Sequence, residues 1–492
     1  MLSQQDLPPS SKLYHNSLAL FCDLYQLTMA CGYWKKRIDQ TKAVFYFTYR
    51  KWPFQGGFGI FAGLGSFLEF FQEFRFLEED LAYLASLESP GKTPLFPRGF
   101  LEYLANLRLT LSIDGMEEGS LVFPYEPLLR VEGPLLQAQI LETALLNIFN
   151  FQTLIASKAA RVKWAASSDE VVEFGMRRAQ GIDGAISASR AAMIGGCDAT
   201  SNVLAGKLFS IPVRGTMSHS WVMAFREESE AFASFVEISP KSAVFLVDTY
   251  DTIRGVENAI HIAKQRKKEG FSLFAVRLDS GDLLSLSRSI RTILDRAGFS
   301  DTKIMASNEL DEFMIEDLKR KGAKISIWGV GTSLVTGKDQ PAFDGVYKLS
   351  ACQNEAGEWV DKMKLSDDPM KRTLPGILQV ARYFDGQTYQ CDEIYDKRVL
   401  HAEDSWIHHP TQGTRKRLSS TWEKIDLFVP LVDRGVVVYP SCSISTIKKR
   451  VAKELSRLPE RTKALKQPDP YFVGISSPLF EKRNRLVEEV LL

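Results

Sequence analysis

Residues 243–252, AVFLVDTYDT, and residues 274–283, FAVRLDSGDL, each join a short run of β-forming residues directly to acidic, hydroxyl and glycine residues. Similar segments begin near residues 171, 211, 304 and 325. Sequence of helical character separates them, and their spacing of about 20–30 residues is that of βα units in a parallel sheet. We therefore predict that residues 151–349 form an α/β domain that carries the functional site.

The number of units predicts the shape of this domain. The six segments, together with a weaker unit around Gly195, favour an irregular, incomplete (β/α) barrel over an open doubly wound sheet. In a barrel, the residues that follow each strand line the mouth where functional groups lie; in an open sheet they line a crevice at the same strand ends. Both folds direct the search for functional residues to these positions.

The two ends of the chain have a different pattern. Before residue 150, strand-like segments alternate with helical spacing such as that of Leu64, Leu68 and Phe71. After residue 350, short strands separated by Gly and Pro turns lead into terminal helices. We predict that residues 1–150 and 350–492 together form an α+β sandwich-like domain packed against the barrel.

The composition excludes several classes of protein. The 492 residues are 45% hydrophobic and 25% charged, as in folded proteins, and the net charge of +1 argues against a nucleic-acid-binding protein. No C-x-x-C pair occurs among the six cysteines, which predicts neither a zinc site nor a disulfide framework. The chain starts without a secretory signal pattern and has no run of about 20 apolar residues, so we expect a cytoplasmic protein without membrane contact.

One strand end, residues 215–220 (GTMSHS), carries His219 among the hydroxyl groups of Thr216, Ser218 and Ser220. An imidazole at a strand mouth is suited to act as a base or to accept a phosphoryl group. The alternative is a histidine whose ring only makes hydrogen bonds within a turn.

Two further strand ends carry acids. Arg277 and Asp279 lie in RLDSGDL, and Asp248 lies in VDTYDT. Arginine suits an anionic ligand. Asp279 and Asp282 of the first motif are suited to hold Mg²⁺ or to accept from ribose hydroxyls, and Asp248 and Asp251 of the second are suited to a metal or sugar contact. Alternatively, Asp279 or Ser280 is the N-cap of the next helix, and Asp248 and Asp251 cap the helix after their own strand.

Three other candidates are less specific. Gly331 and Thr332 lie in GVGTSLVTG, a turn whose N–H groups suit a phosphate but which also reads as a tight structural turn. Arg177 in EFGMRRAQG either reaches the mouth or is one of two solvated arginines. Tyr25 in DLYQLTMA, taken alone, indicates a core residue.

The order of the motifs is more specific than any one of them. It closely resembles that of the nicotinate phosphoribosyltransferase family, as does KLSDDPMKRTLPG at residues 364–376. The resemblance covers most of the chain and becomes weak beyond about residue 400. It rests on DLYQLTMA, FQGGFGIFAGL, EFGMRRAQGIDG, GGCDATSN, GTMSHS, VDTYDT, VRLDSGDL, SNELDE and GVGTSLVTG.

This resemblance implies a type II phosphoribosyltransferase fold, a homodimer and a reaction in NAD biosynthesis. Nicotinate would be joined to 5-phosphoribosyl 1-diphosphate, giving nicotinate mononucleotide and diphosphate. The resemblance also implies Mg²⁺ and ATP as co-substrate, with transient phosphorylation of His219. A nicotinamide phosphoribosyltransferase, or a non-catalytic relative that binds pyridine nucleotides, remains the alternative. By motif, the positions that contact the base or the phosphoribosyl diphosphate fall on Tyr25, Arg177, Thr216, Arg277 and Thr332.

Overall fold

The computed structural model describes residues 17–368, 371–399 and 406–491. Residues 1–16, in which we predict no secretory signal, lie outside the described residues, as do Pro369 and Met370 of the 364–376 motif. Within the described part, every helix is too short or too polar to cross a membrane.

The N-terminal part combines short strands with helices that bury one side. Leu64, Phe67, Leu68 and Phe71 are buried along α2, as their spacing predicts. The helix α6 runs through residue 150 into the barrel, so the proposed domain boundaries stay a prediction. The elements are α1 (Leu24–Lys36), β1 (Lys42–Thr48), β2 (Gly59–Ile60), α2 (Leu64–Glu73), α3 (Glu78–Ser86), α4 (Arg98–Ala105), β3 (Ser112–Gly115), β4 (Leu121–Val122), β5 (Pro127–Pro134), α5 (Leu135–Ile140) and α6 (Glu142–Ala166).

The middle of the chain forms a parallel sheet of six strands that curls into a half-barrel. The spatial order β7-β6-β11-β10-β9-β8 makes β8, β9 and β10 neighbours, so their carboxyl ends meet. The elements are β6 (Glu170–Glu173), α7 (Gly181–Ile194), β7 (Ala199–Thr200), α8 (Val203–Phe209), α9 (His219–Met223), α10 (Glu228–Ile238), β8 (Ser242–Leu246), α11 (Thr252–Arg266), β9 (Ser272–Leu278), α12 (Leu283–Arg296), β10 (Lys303–Ser307), α13 (Glu312–Arg320), β11 (Ile327–Val330) and α14 (Thr332–Val335).

One predicted strand is reduced in the structure. Residues 211–214 make a single parallel bridge, between Thr200 and Val213, where the sequence predicts a strand. Pro212 has no N–H group, so the ladder of hydrogen bonds cannot continue through it. The barrel is therefore left open beside β7, and the predicted fold, an irregular and incomplete barrel with an α+β part from both chain ends, is confirmed.

Both ends of the chain join one antiparallel sheet of seven strands, β13-β12-β1-β5-β3-β19-β20. A separate C-terminal sheet, β17-β16-β21-β15-β14-β18, is antiparallel except for the pair β15 and β21. The elements after the barrel are β12 (Val346–Gln353), β13 (Trp359–Asp361), β14 (Leu378–Phe384), β15 (Tyr389–Asp396), β16 (Trp406–His408), β17 (Arg415–Arg417), β18 (Glu423–Asp426), β19 (Val429–Asp433), β20 (Val436–Val437), α15 (Ile444–Arg457), β21 (Val473–Ser476) and α16 (Ser477–Leu491).

A buried ion pair ties the barrel to the N-terminal part. Arg190 of α7 lies 2.7 Å from Glu118, and both side chains are almost fully buried. The same carboxylate accepts hydrogen bonds from the N–H groups of Gly63 and Leu64 at the start of α2. Since a buried charge needs such partners, this contact fixes how the two parts meet.

Candidate active site

The carboxyl ends of β8, β9 and β10 bring together side chains from three strand-end turns. Asp248 follows β8, Asp279 follows β9, and Ser307 ends β10. Asp248 Oδ2 accepts hydrogen bonds from the N–H of Asp279 and the hydroxyl of Ser280, each at 2.7 Å. One acid therefore lies beneath the turn that carries the other, and these hydrogen bonds connect the two turns.

Arg277 is held from several sides at this mouth. Its Nε donates to Ser307 Oγ at 2.8 Å, and its Nη2 donates to Asp279 Oδ1 at 2.8 Å. The Phe174 ring lies under the guanidinium, 5.6 Å from centroid to Cζ. The contact between Nη1 and the carbonyl of Met217 is long, at 3.4 Å. The edge of the guanidinium formed by the two terminal nitrogens therefore remains able to bind an anion.

Asp279 links this arginine to His219. Burial raises its pKa, but the Ser307 hydroxyl and the Arg277 guanidinium outweigh that effect and hold the pKa of Asp279 below its ordinary value. Its second oxygen, Oδ2, lies 3.7 Å from Nε2 of His219. An ionised carboxylate therefore faces the imidazole at neutral pH.

His219 opens the short helix α9 and is half-exposed. Its Nδ1 lies 3.2 Å from the Thr249 hydroxyl, which comes from the turn after β8. The hydroxyls that surround it in sequence bond elsewhere: Ser218 pairs with Ser220, and Thr216 donates to the carbonyl of Val244. The orienting hydroxyl is thus supplied by the neighbouring strand end and not by GTMSHS.

The structure separates the acids that cap helices from those that face the mouth. Asp251 accepts from the N–H of Arg254 at the start of α11, and Asp282 accepts from that of Leu284 at the start of α12. Asp248 and Asp279 lie three residues before these caps and are free of that task. The capping alternative therefore holds for Asp251, whereas the N-cap predicted at Asp279 or Ser280 is wrong, because the helix begins later and Asp282 caps it.

One carboxylate oxygen of Asp248 is available to bind a ligand. Its Oδ1 is buried and has no hydrogen-bond partner in the described part of the chain. A buried carboxylate oxygen without a donor suits a cation. No cluster of three or more metal-binding side chains occurs among the described residues, so any metal here would take most of its ligands from substrate and water.

A buried carboxylate fixes the turn after β6. Glu173 is fully buried, and it accepts from the backbone N–H of Gly175 and the hydroxyls of Ser189 and Thr200. The turn that it holds carries Phe174 and then Arg177. Arg177 is exposed on a single 3-10 turn, Met176–Arg178.

Gly329 on the adjacent strand leaves room for the Phe174 ring. A Cβ at this position would lie 2.7 Å from a ring carbon, so only glycine fits without moving the ring. Gly331 and Thr332 follow at the start of α14, and Thr332 is exposed. The glycine-rich turn thus lies beside the turn of Phe174 and Gly175.

Tyr25 lies on α1, outside the half-barrel that carries the mouth, and it is not the core residue that the sequence alone indicates. It is half-exposed on α1, where burial and then Glu142 raise the pKa of its hydroxyl to about 12. Glu142 in turn lies 3.7 Å from Lys348 of the seven-stranded sheet. Within the described residues, Tyr25 has no contact with Arg277 or His219.

Two cavities bear on the site. One of about 280 Å³ lies inside the half-barrel, and Phe174, Thr216 and Val244 are among the residues that line it. A larger one of about 1680 Å³ lies between residues 50–57, the C-terminal sheet and the start of α13. The smaller cavity borders the site through Phe174 and Thr216, but Arg277, Asp279 and His219 line neither of these two cavities.

Sequence reasoning did not single out Phe174, Thr249 or Ser307. Each lies within a quoted motif: Phe174 in EFGMRRAQG, Thr249 in VDTYDT and Ser307 in SNELDE. The position after a strand was a usable signal for Thr249 and Ser307, but nothing in the sequence indicates which strand ends are neighbours.

Comparison with known proteins agrees over almost the whole chain. The model of the nicotinate phosphoribosyltransferase family matches residues 170–381. Models of the N-terminal and C-terminal domains of nicotinate phosphoribosyltransferase match residues 20–150 and 379–483.

Individual relatives give the same result. The chain is 43% identical over 480 residues to the nicotinate phosphoribosyltransferase of Bacillus subtilis, covering 96% of each chain. It is 34% identical to that of Dictyostelium discoideum, covering 95% of this chain and 88% of the relative. The crystal structure of human nicotinic acid phosphoribosyltransferase superimposes with a TM-score of 0.81 at 29% identity, covering 94% of this chain and 99% of the human chain. The chain therefore belongs to the nicotinate phosphoribosyltransferase family.

Proposed function

We propose that this protein joins nicotinate to 5-phosphoribosyl 1-diphosphate, giving nicotinate mononucleotide and diphosphate, a step in NAD biosynthesis. The observation that carries the proposal is Arg277, whose guanidinium is held by Ser307 and Asp279 and has N–H groups to spare on its two terminal nitrogens. A guanidinium pairs better with a carboxylate than with a carboxamide, because the carboxylate accepts two charge-assisted hydrogen bonds. This supports nicotinate over nicotinamide as the base.

The base would lie across the mouth, with its carboxylate on Arg277 and its ring against Phe174. Thr216 and Arg177 would border the same space. The pyridine nitrogen then forms a bond to C1 of the ribose while the bond from C1 to the diphosphate oxygen breaks. Since positive charge develops on the ribose, a fixed geometry of base and sugar contributes much of the catalysis.

The phosphorylated sugar would lie toward Gly331 and Thr332, whose N–H and hydroxyl groups donate to phosphate oxygens. Asp279 is suited to accept from a ribose hydroxyl. Asp248 and Asp279 are the residues that would help to hold Mg²⁺, and the unused Oδ1 of Asp248 fits that role. When bound, Mg²⁺ neutralises charge on the diphosphate.

We further propose that ATP is a co-substrate and that His219 is phosphorylated transiently. A nitrogen of the imidazole attacks the γ-phosphorus, ADP leaves, and water later takes the phosphoryl group from the nitrogen as phosphate. The half-exposed ring, oriented by Thr249 and facing Asp279, supports this role.

A homodimer would explain the position of Tyr25. Since Tyr25 lies apart from Arg277 in one chain, a second copy would have to bring it to the mouth. Exposed apolar side chains support such an association because solvent exposure of this kind marks interfaces. They form one group around α1 and another on α8: Leu18, Phe21, Leu24 and Met29, and Val203, Leu204 and Leu208. Six free cysteines agree with a reducing compartment, and we propose the cytoplasm.

Product analysis tests the reaction. The protein is incubated with 5-phosphoribosyl 1-diphosphate, Mg²⁺ and ATP, and with either nicotinate or nicotinamide. We expect nicotinate mononucleotide, diphosphate, ADP and phosphate from nicotinate, and little product from nicotinamide. Product from nicotinamide alone, or from neither base, would overturn the proposal.

Complementation tests the shared site. Tyr25→Ala and Arg277→Ala chains with different tags are co-expressed, and the hybrid dimer is purified through both tags. If Tyr25 serves the partner's mouth, the hybrid has one intact site and recovers activity that neither homodimer has. Hybrids as inactive as both homodimers would show that each site is built within one chain.

A further inference from the structure

Ser307 is a buried hydroxyl between the two charged groups of the mouth. It is the last residue of β10 and only 4% exposed. Its Oγ accepts from Nε of Arg277 at 2.8 Å and donates to Oδ1 of Asp279. The carbonyl of Leu278 lies farther away, at 3.4 Å. The side chain therefore makes its short contacts with the two ionised groups and not with the backbone.

We propose that Ser307 is a positioning residue for nicotinate binding, which sets the orientation of the Arg277 guanidinium through its hydroxyl. This inference rests on the proposed function, in which Arg277 binds the carboxylate of the base.

The chemistry of a hydroxyl suits this position, because it accepts from one ionised group while donating to the other. Nε of Arg277 needs an acceptor, and Ser307 provides a neutral one. The Nε side of the guanidinium is thereby committed, and the edge formed by the two terminal nitrogens is left for a ligand. Without the hydroxyl, Nε loses its acceptor, and the carboxylate of Asp279, which already bonds to the same guanidinium, can take its place.

The two oxygens of Asp279 have different partners. Arg277 and Ser307 both bond to Oδ1, whereas Oδ2 faces Nε2 of His219 at 3.7 Å. A carboxylate drawn sideways onto Nε of Arg277 would turn Oδ2 away from His219. Ser307 thus maintains the present arrangement of arginine, acid and histidine, although it touches only the first two.

Replacing a serine with a purely structural role should change stability but not substrate binding. Ser287 provides the matched control. Ser287 is fully buried on α12, where its hydroxyl bonds to the carbonyl of Leu284 and to the N–H of Lys324. Ser287→Ala should lower the melting temperature without changing the KM for any substrate.

The first experiment compares Ser307→Ala with Ser287→Ala in the full-length enzyme. We expect Ser307→Ala to raise the KM for nicotinate about tenfold, the effect of losing one hydrogen bond to a charged group. The KM for 5-phosphoribosyl 1-diphosphate should rise less, since Ser307 reaches the sugar site only through its contact with Asp279. An unchanged KM for nicotinate, or an equal rise for both substrates, would overturn the role of Ser307.

The second experiment places Ser307→Ala in an Arg277→Lys background. Lysine has no Nε–H fork, so the hydroxyl has no guanidinium to orient, and the two changes should be strongly non-additive. Fully additive effects on nicotinate binding would contradict the inference, because the hydroxyl would then act independently of Arg277.

Arg277→Ala, measured beside these variants, distinguishes a failure of the proposed base site from a failure of the role of Ser307 alone. If it leaves nicotinate affinity intact, the assignment of Arg277 fails and the proposed base site fails with it. If it removes nicotinate binding while Ser307→Ala has no effect, only the role of Ser307 is overturned.

Discussion

Replacing Arg277 by alanine is the most direct test of the base site. Nε, one N–H of Nη2 and one N–H of Nη1 bond to Ser307, Asp279 and the carbonyl of Met217, so one N–H on each terminal nitrogen is left for a carboxylate. Each charge-assisted hydrogen bond contributes about 1.5–3 kcal/mol. Losing both costs about 3–6 kcal/mol, which corresponds to a rise in Kd of roughly 10²- to 10⁴-fold.

Calorimetric titration of nicotinate into wild type and Arg277→Ala measures this directly. Nicotinamide, which carries no charge, should lose far less affinity, so the preference for nicotinate should collapse. Arg277→Lys keeps the charge but loses the fork, and we expect an intermediate Kd. Arg178→Ala removes an exposed positive charge near the mouth and controls for a general effect of charge.

The variant also leaves Asp279 without its ion-pair partner, so folding must be checked by thermal unfolding. If the variant melts cooperatively and binds nicotinate within about threefold of wild type, well under 1 kcal/mol, then Arg277 does not bind the carboxylate.

Four further substitutions test other parts of the structure. Thr332→Val should raise the KM for 5-phosphoribosyl 1-diphosphate about tenfold with nicotinate affinity unchanged; unaltered saturation in steady-state kinetics would make the turn merely structural. His219→Ala should abolish ATP hydrolysis coupled to product formation, and acid-labile label from γ-labelled ATP should map to the wild-type peptide with His219; label elsewhere would refute this. Burial and then Asp392 raise the pKa of Glu126 well above its ordinary value, so the stability that its protonated form confers is present in acid and is lost as the pH rises from the ordinary pKa through the raised one. Glu126→Gln should therefore flatten this loss in denaturant unfolding measured across that pH range, whereas Asp392→Asn, which breaks the buried pair with Arg382, should cost about 3–5 kcal/mol.

The strand ends were predictable because each one joins a buried β run to polar residues. Segments such as 243–247 and 274–278 fix where a parallel strand ends, and the chemistry follows at once. A full strand was predicted at residues 211–214 because the apolar residues around Pro212 fit one. The missing N–H of Pro212 prevents pairing only where a neighbouring strand must accept from it.

Contacts between turns were not predictable in the same way. Thr249 reaches His219 and Ser307 reaches Arg277 only because β8, β9 and β10 are adjacent in the sheet. Sequence order does not determine that adjacency in detail. The hydroxyls of Ser218 and Ser220 are nearer to His219 in sequence, but they bond to each other.

The charges of the mouth explain why the proposed reaction needs further positive charge beside these side chains. Asp248 and Asp279 outnumber Arg277, whereas nicotinate, the phosphorylated sugar and ATP are all anions. Phosphorylated His219 would add negative charge about 4 Å from Asp279, a repulsion of about 4 kcal/mol at an effective dielectric constant of about 20. Movement of Asp279 toward Arg277, or a cation carried in with the diphosphate, would relieve that repulsion. Phosphorylation by ATP would thus change the charge of the site. It would alter nicotinate binding by changing the contact between Asp279 and Arg277.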